Sequence, residues 1–242
     1  MARGAVTFDF HDTLARCDRW FELEVRDLVP AFLRWRADLN GKPTDPVLLD
    51  EAAVAYRRLR LQVIEDGREL TAESCMARVL VELGISVPED EVARGVERLM
   101  RDRLDEVEPV PGAVALVEAL SAAGVPLGIV SSAVYHPFLE WTLARFGLQD
   151  AFGVVTTSAS AGFYKSRPEI YWQTLAALGA PAALSVHVGD SHRFDVQGAR
   201  RAGMRTVWLR SSGTEEPTGD PADLTVGGLE GLAPRVLALL DA

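Results

Sequence analysis

From residue 112 onward, short apolar runs alternate with helix-length stretches, and each helix closes on a glycine. Helix 112–123 stops at Gly124, strand 125–130 follows, and helix 137–146 ends at Gly147. Strand 152–156, helix 168–178 to Gly179, strand 184–188, helix 195–202 to Gly203 and strand 205–209 repeat the pattern. Strands that alternate with helices of about 10–15 residues are joined by crossovers and pair in parallel. The chain is therefore expected to be an α/β protein with a Rossmann-like parallel sheet and helices on both faces. Residues 211–222, rich in Ser, Gly, Pro, Glu and Asp, read as a surface loop before a last short strand and helix.

One further apolar run, residues 4–10, stands far upstream and reads as a buried strand of the same sheet. Between it and EPVPG (108–112) the pattern is wholly helical. One helix carries Trp20, Phe21, Val25 and Leu28, with Pro30 as a kink before Phe32 and Trp35. A second runs from Pro46 to Ile64 with Val54 and Leu61 on its apolar side, and a third places Cys75, Met76, Val79, Leu80 and Leu83 at helical spacing before Gly84. Ser86 and Glu89 form a capping-box pattern at the head of a fourth, which continues through Val92, Val96 and Leu99. The expected division is a core of residues 1–14 and 109–242 and an inserted all-α domain of residues 15–108.

Composition excludes several functions. The net charge is −10, against the clustered Lys and Arg that nucleic acid or an anionic membrane surface requires. No apolar run approaches the roughly 20 residues of a membrane helix, and MARGAVTFDF lacks the apolar stretch of a signal peptide. Cys17 and Cys75 have neither metal-ligand spacing nor a disulfide framework and read as reduced thiols of a cytoplasmic protein. Basic residues are 23 Arg and only two Lys, Lys42 and Lys165. A retained lysine suggests a position that needs a compact point charge. Nothing separates a monomer from a homodimer.

Ligands of an open parallel sheet bind at the carboxyl ends of its strands, and the polar clusters fall there. The first strand runs into Asp9, His11, Asp12 and Thr13; GIV (128–130) runs into Ser131 and Ser132. The third strand leads to Lys165, and SVHV (185–188) leads to Asp190 and Asp195. Asp9, Asp190 and Asp195 are hard oxygen donors of the kind Mg²⁺ takes. Lys165 and the Ser131 hydroxyl suit a phosphoryl group, and one carboxylate is left over as a nucleophile. Asp195 has a competing use as N-cap of helix 195–202. His187, inside an apolar strand, reads as a buried, hydrogen-bonded core residue, and Arg16, Arg19, Trp20 and Arg68 as packing or surface side chains.

DFHDT (9–13), IVSS (129–132), GFYKSRPEIY (162–171) and VGDSHRFDVQGARRAGM (188–204) together resemble the four motifs of the haloacid dehalogenase-like hydrolase superfamily, in order and over essentially the whole chain. The helical insertion is similar to the family's C1-type cap. The resemblance implies that Asp9 is the nucleophile, that Ser131, with Ser132 beside it, binds the phosphoryl group, and that Lys165 steadies both. It implies that Mg²⁺ is held by Asp9, Asp190, Asp195 and the backbone carbonyl of His11, and that the substrate is a small phosphorylated metabolite. The third motif departs from the usual Pro-Asp-Pro, with Ser166-Arg167-Pro168.

The first motif departs more. His11 stands where family phosphatases have the Asp that is general acid, then base, and Asp12 stands at the usual Gly. An imidazole can serve as the acid/base, since it titrates near 6.5. The alternatives are a weakly active or noncatalytic protein that serves a partner, and 2-haloacid dehalogenation. Family dehalogenases carry Tyr at the place of His11 and lack the equivalent of Asp190, which this chain keeps.

Overall fold

A computed structural model describes residues 3–210 and 219–241. Its strands are β1 (Val6–Phe8), β2 (Ala15–Arg16), β3 (Glu108–Pro109), β4 (Leu127–Ser131), β5 (Val154–Thr157), β6 (Val186–Gly189), β7 (Arg205–Leu209) and β8 (Leu224–Val226). The helices are α1 (Asp18–Glu22), α2 (Leu28–Leu39), α3 (Pro46–Asp66), α4 (Ala72–Glu82), α5 (Glu89–Arg101), α6 (Ala113–Ala122), α7 (His136–Phe146), α8 (Ser158–Ala161), α9 (Glu169–Leu178), α10 (Gln197–Arg201) and α11 (Ala233–Asp241). Of the expected loop, residues 211–218 lie outside the described residues.

Six strands form one parallel sheet in the order β5-β4-β1-β6-β7-β8. The order reverses at β1, so the ends of β1, β4 and β6 meet at the switch point where doubly wound sheets bind ligands. Side chains alternate across the sheet, and the two faces have separate apolar clusters. Phe8, Ile129 and Val188 join the larger one, while Val130 packs with Ile170, Tyr171 and Leu175 of α9 and Ala199 of the α10 face. Gly128 lets α9 lie close, since a Cβ there would stand 3.1 Å from Leu178 and Thr174.

The inserted helices leave and rejoin the sheet through β2 and β3, which pair antiparallel with Ala15 opposite Pro109. Their core is continuous with the larger sheet-face cluster: Phe10 meets Trp20 edge-on at 5.8 Å, and Trp20 stacks on Phe138 at 4.6 Å. Among the described residues no helix is long and apolar enough to cross a membrane.

Local expectations needed four corrections. The first strand is shorter, Val6–Phe8, because the chain turns at Phe10, whose carbonyl accepts from both Leu14 N and Ala15 N. The kink at Pro30 is a π turn over Leu23–Asp27; proline has no N–H to return to the preceding turn, and a wider turn absorbs the mismatch. Ser86 caps nothing, since Pro88 occupies the N-cap of α5 and no side chain bonds there. On α3, Val54 and Leu61 face solvent; the buried stripe is Ala52, Ala55, Tyr56, Leu59, Arg60 and Val63. That stripe repeats every three or four residues, the period of one helix face, and Val54 and Leu61 lie off it.

Candidate active site

The end of β1 continues the sheet by one bond, Asp9 N to Val188 O at 2.9 Å, and then turns away. Asp12 makes the turn with φ 56°, the only positive φ outside glycine among the described residues. Left-handed backbone favours Gly and, among other residues, Asp and Asn. The residue after His11 therefore has a backbone reason to be Gly or Asp.

Lys165 lies at the centre of the site. Its Nζ is 2.6 Å from Asp9 Oδ1 and 2.6 Å from Asp195 Oδ1, and all three side chains are at least nine-tenths buried. Asp195 Oδ1 also meets His187 Nε2 at 3.2 Å, and its Oδ2 accepts from Ser191 N at 2.8 Å. Burial raises the Asp195 carboxyl, but Lys165 and His187 outweigh it and hold the group at about 2. Burial raises Asp9 as well, helped by Asp195 and opposed by Lys165. Asp190, at the end of β6, is pushed up to about 8 by burial and by Asp9 and Asp195.

Ligand oxygens of Asp9, Asp190 and Asp195 lie within 4.8 Å of one another. Three carboxylates thus share one ammonium, and the excess negative charge shows in Asp9 and Asp190. Hard oxygen donors with unbalanced charge fit a divalent cation such as Mg²⁺. Asp195 is the least available of the three, because Lys165, His187 and Ser191 take most of its lone pairs. It caps no helix: it lies inside a π turn over His192–Val196, capped by Ser191, and α10 begins later, at Gln197.

Ser131 ends β4, 3% exposed. Ser132 Oγ, beside the Tyr164 phenol, and Thr13 Oγ1 are both buried without a well-formed hydrogen bond. Such hydroxyls have donor capacity left over. His11 is turned toward the inserted helices. Its ring stacks on Phe21, Nε2 lies 3.3 Å from Asp18 Oδ1 without hydrogen-bond alignment, and Nδ1 lies 3.6 Å from Asp12 Oδ2. Of the side chains read as packing or surface, Trp20 is buried, Arg19 pairs with Glu106 at 2.7 Å and Arg68 is exposed.

Sequence reasoning missed the buried polar side chains of the insertion. Arg60 is bidentate to Glu69, at 2.5 and 3.0 Å, and Glu69 Oε2 accepts from Ser158 Oγ at 2.9 Å. Glu24 accepts from Tyr135 N at 3.1 Å. The turn after α3 also joins the Lys165 loop through its backbone: Tyr164 N bonds Gly67 O and Glu69 N bonds Gly162 O, each at 3.1 Å.

The profile of one family, haloacid dehalogenase-like hydrolase, matches residues 4–203. The chain belongs to that family. The glyceraldehyde 3-phosphate phosphatase of Pyrococcus abyssi is 27% identical over 206 residues, 85% of this chain and 80% of that protein. The protein of the same name from Methanopyrus kandleri is 30% identical over 207 residues, 85% of this chain and 83% of that one. Among solved structures, a 2-haloacid dehalogenase from Pseudomonas syringae superposes with a TM-score of 0.74 at 23% identity, covering 98% of both chains. Solved structures of both a phosphatase and a dehalogenase share this fold.

Proposed function

We propose that this hydrolase is a Mg²⁺-dependent phosphatase of small phosphomonoesters that works through an aspartyl-phosphate on Asp9. The observation that carries the reading is the Lys165 ammonium, 2.6 Å from Asp9 Oδ1, with Asp190 kept at the adjoining strand end. Asp190 also weighs against dehalogenation, for which the family has no use of that carboxylate. Similarity to relatives named for phosphatase activity points the same way.

Asp9, Asp190, the His11 carbonyl and, in support, Asp195 would hold the cation, which supplies positive charge beside the phosphoryl oxygens when bound. The Asp9 carboxylate attacks phosphorus, its new P–O bond forming as the ester P–O bond breaks. The leaving alkoxide takes a proton from the His11 imidazolium. Lys165 and the Ser131, Ser132 and Thr13 hydroxyls donate to the equatorial oxygens as charge spreads over them. Water then attacks the acyl phosphate, gives its proton to His11, and releases inorganic phosphate with Asp9 restored. The net reaction is ester plus water to alcohol plus phosphate.

Residues 15–108 serve in this reading as a C1-type cap. Asp9 and Lys165 are 6% and 3% exposed at the sheet edge from which the insertion leaves. The test is turnover of a broad phosphomonoester panel with Mg²⁺, beside Asp9→Asn. Turnover by the wild type and none by the variant is expected. No turnover above the variant would favour a noncatalytic protein, and metal-independent halide release from a 2-haloacid would favour dehalogenation.

A further inference from the structure

We infer that His187 is a positioning residue of this site, holding the Asp195 carboxylate so that Lys165 is aimed at Asp9. The inference rests on the phosphatase reading for its kinetic consequences. The geometry on which it stands is independent of that reading.

His187 and Thr7 are register partners on β6 and β1, on the face covered by α9 and α10. The Thr7 hydroxyl lies 2.8 Å from Nδ1, and Nε2 lies 3.2 Å from Asp195 Oδ1. An ionised carboxylate only accepts, so Nε2 carries a proton and donates it to Asp195, while the Thr7 hydroxyl partners Nδ1. Tyr171 of α9 sets its ring edge-on to the imidazole at 5.1 Å, and its hydroxyl donates to Phe194 O at 2.8 Å. One side chain thus braces both the ring and the turn that carries Asp195.

The turn is tight against β6. A Cβ on Gly189 would stand 2.3 Å from Asp195 Cγ and 2.5 Å from its Cβ. The carboxylate is therefore pressed on the backbone from one side and bonded by His187, Ser191 and Lys165 on the others. A lysine stem has four rotatable carbons and a spherical charge that fixes no direction of its own. A rigid second acceptor at 2.6 Å supplies that direction. His187 is 1% exposed, and of its two hydrogen-bond partners, Thr7 and Asp195, only Asp195 reaches Lys165, so its influence passes through Asp195. Groups that orient a site's working residues are worth about 10–100-fold in activity when lost.

The experiment compares wild type, His187→Leu, His187→Gln, Asp195→Asn and the His187→Leu/Asp195→Asn double variant. It uses saturating Mg²⁺ and the phosphomonoester the wild type turns over best. His187→Leu should lower kcat about 10–100-fold with KM changed less than about 3-fold. His187→Gln, whose amide can donate toward Asp195, should recover most of the loss. In the Asp195→Asn background, His187→Leu should cost no more than about 2-fold, because its route of action is already gone. A His187→Leu kcat within about 3-fold of wild type, or losses that multiply in the double variant, overturns the inference.

A readout free of turnover accompanies this. In ¹⁵N-histidine spectra His187 should carry a proton on Nε2, with the Nε2 shift altered by Asp195→Asn. An Nε2 without a proton, or no response to Asp195→Asn, overturns the inference even if His187→Leu fails to fold. A wild type with no turnover on any ester removes the phosphatase reading and leaves the spectrum to judge His187.

Discussion

The His11 imidazole lies face to face on Phe21, with ring centroids 4.4 Å apart and planes 8° from parallel. Phe21 belongs to α1, the first inserted helix, and so does Asp18, 3.3 Å from Nε2. The ring is therefore held by the insertion and not by the sheet. His11→Gln should lower kcat by about 10²–10⁴-fold, the range a lost acid/base ordinarily costs. His11→Asp should keep turnover and shift the limb of the pH–rate profile governed by this group downward, since carboxyls titrate roughly 2–3 units below imidazoles. A profile unchanged by His11→Asp would remove the imidazole from proton transfer.

Phe21 is 43% exposed, so its truncation should leave folding nearly intact. A stacked aromatic pair contributes about 0.5–1.5 kcal/mol. If the stack serves to orient His11, Phe21→Ala should lower kcat by roughly 2–12-fold, the same energy read as rate. Equal kcat for Phe21→Ala and wild type would show that the stack orients nothing the reaction uses.

The metal-free site carries three carboxylates against one lysine, so Mg²⁺ should stabilise the fold. At 100-fold over its Kd a ligand adds about 2.7 kcal/mol, which for a chain of this size is roughly 5–11 °C in Tm. Thermal unfolding with Mg²⁺ and then EDTA should show that rise and its reversal. Asp9→Asn should be at least as stable as wild type in EDTA, because burial disfavours the ionised Asp9 carboxyl. It should gain less from Mg²⁺. A Tm indifferent to Mg²⁺ would leave the cluster without a metal.

Strand ends and the polar residues after them were legible because a parallel sheet forces its chemistry to one edge. Asp9, Ser131, Lys165 and Asp190 could be placed by counting past each apolar run. The Arg60–Glu69 pair was not legible: a charged residue on a long helix ordinarily marks the solvent face, and nothing local announces that Glu69 and Ser158 meet it. His187 was legible as a core histidine but not as a partner of Asp195, since their contact depends on how tightly the π turn folds back on Gly189. The apolar face of α3 was misread because Val54 and Leu61 are themselves apolar, while the face turned inward runs through Ala52, Tyr56, Leu59 and Val63 at helical period.

Glu24 gives a pH dependence of stability. It is 2% exposed, and burial pushes its carboxyl from 4.5 up to about 8, against the pull of Arg60. Between those values the native state binds more protons than the unfolded chain, so stability falls as pH rises from about 4.5 to 8. The penalty above pH 8 is of the order of a few kcal/mol. Glu24→Gln keeps the acceptor for Tyr135 N and cannot ionise. Its Tm relative to wild type should therefore climb from pH 5 to pH 8.5. A Tm difference constant across that range would mean Glu24 keeps its charge at no cost.

Gly198 sets two effects against each other at the first turn of α10. Alanine in place of glycine favours a helix by about 1 kcal/mol. A Cβ at Gly198, however, would stand 2.6 Å from the Lys165 carbonyl oxygen and 2.9 Å from the Tyr171 hydroxyl. The first obstacle is backbone and cannot rotate away, and overpacking of this kind costs about 1–3 kcal/mol. The clash should win, because relief requires the Lys165 loop or the α10 turn to move. Gly198→Ala should thus lower Tm despite its better helix propensity, and lower kcat more than a surface glycine-to-alanine control such as Gly227→Ala, where nothing lies within 4 Å. A raised Tm with full activity would show that α10 and the Lys165 loop have slack, and that the 2.6 Å contacts of Lys165 do not depend on it.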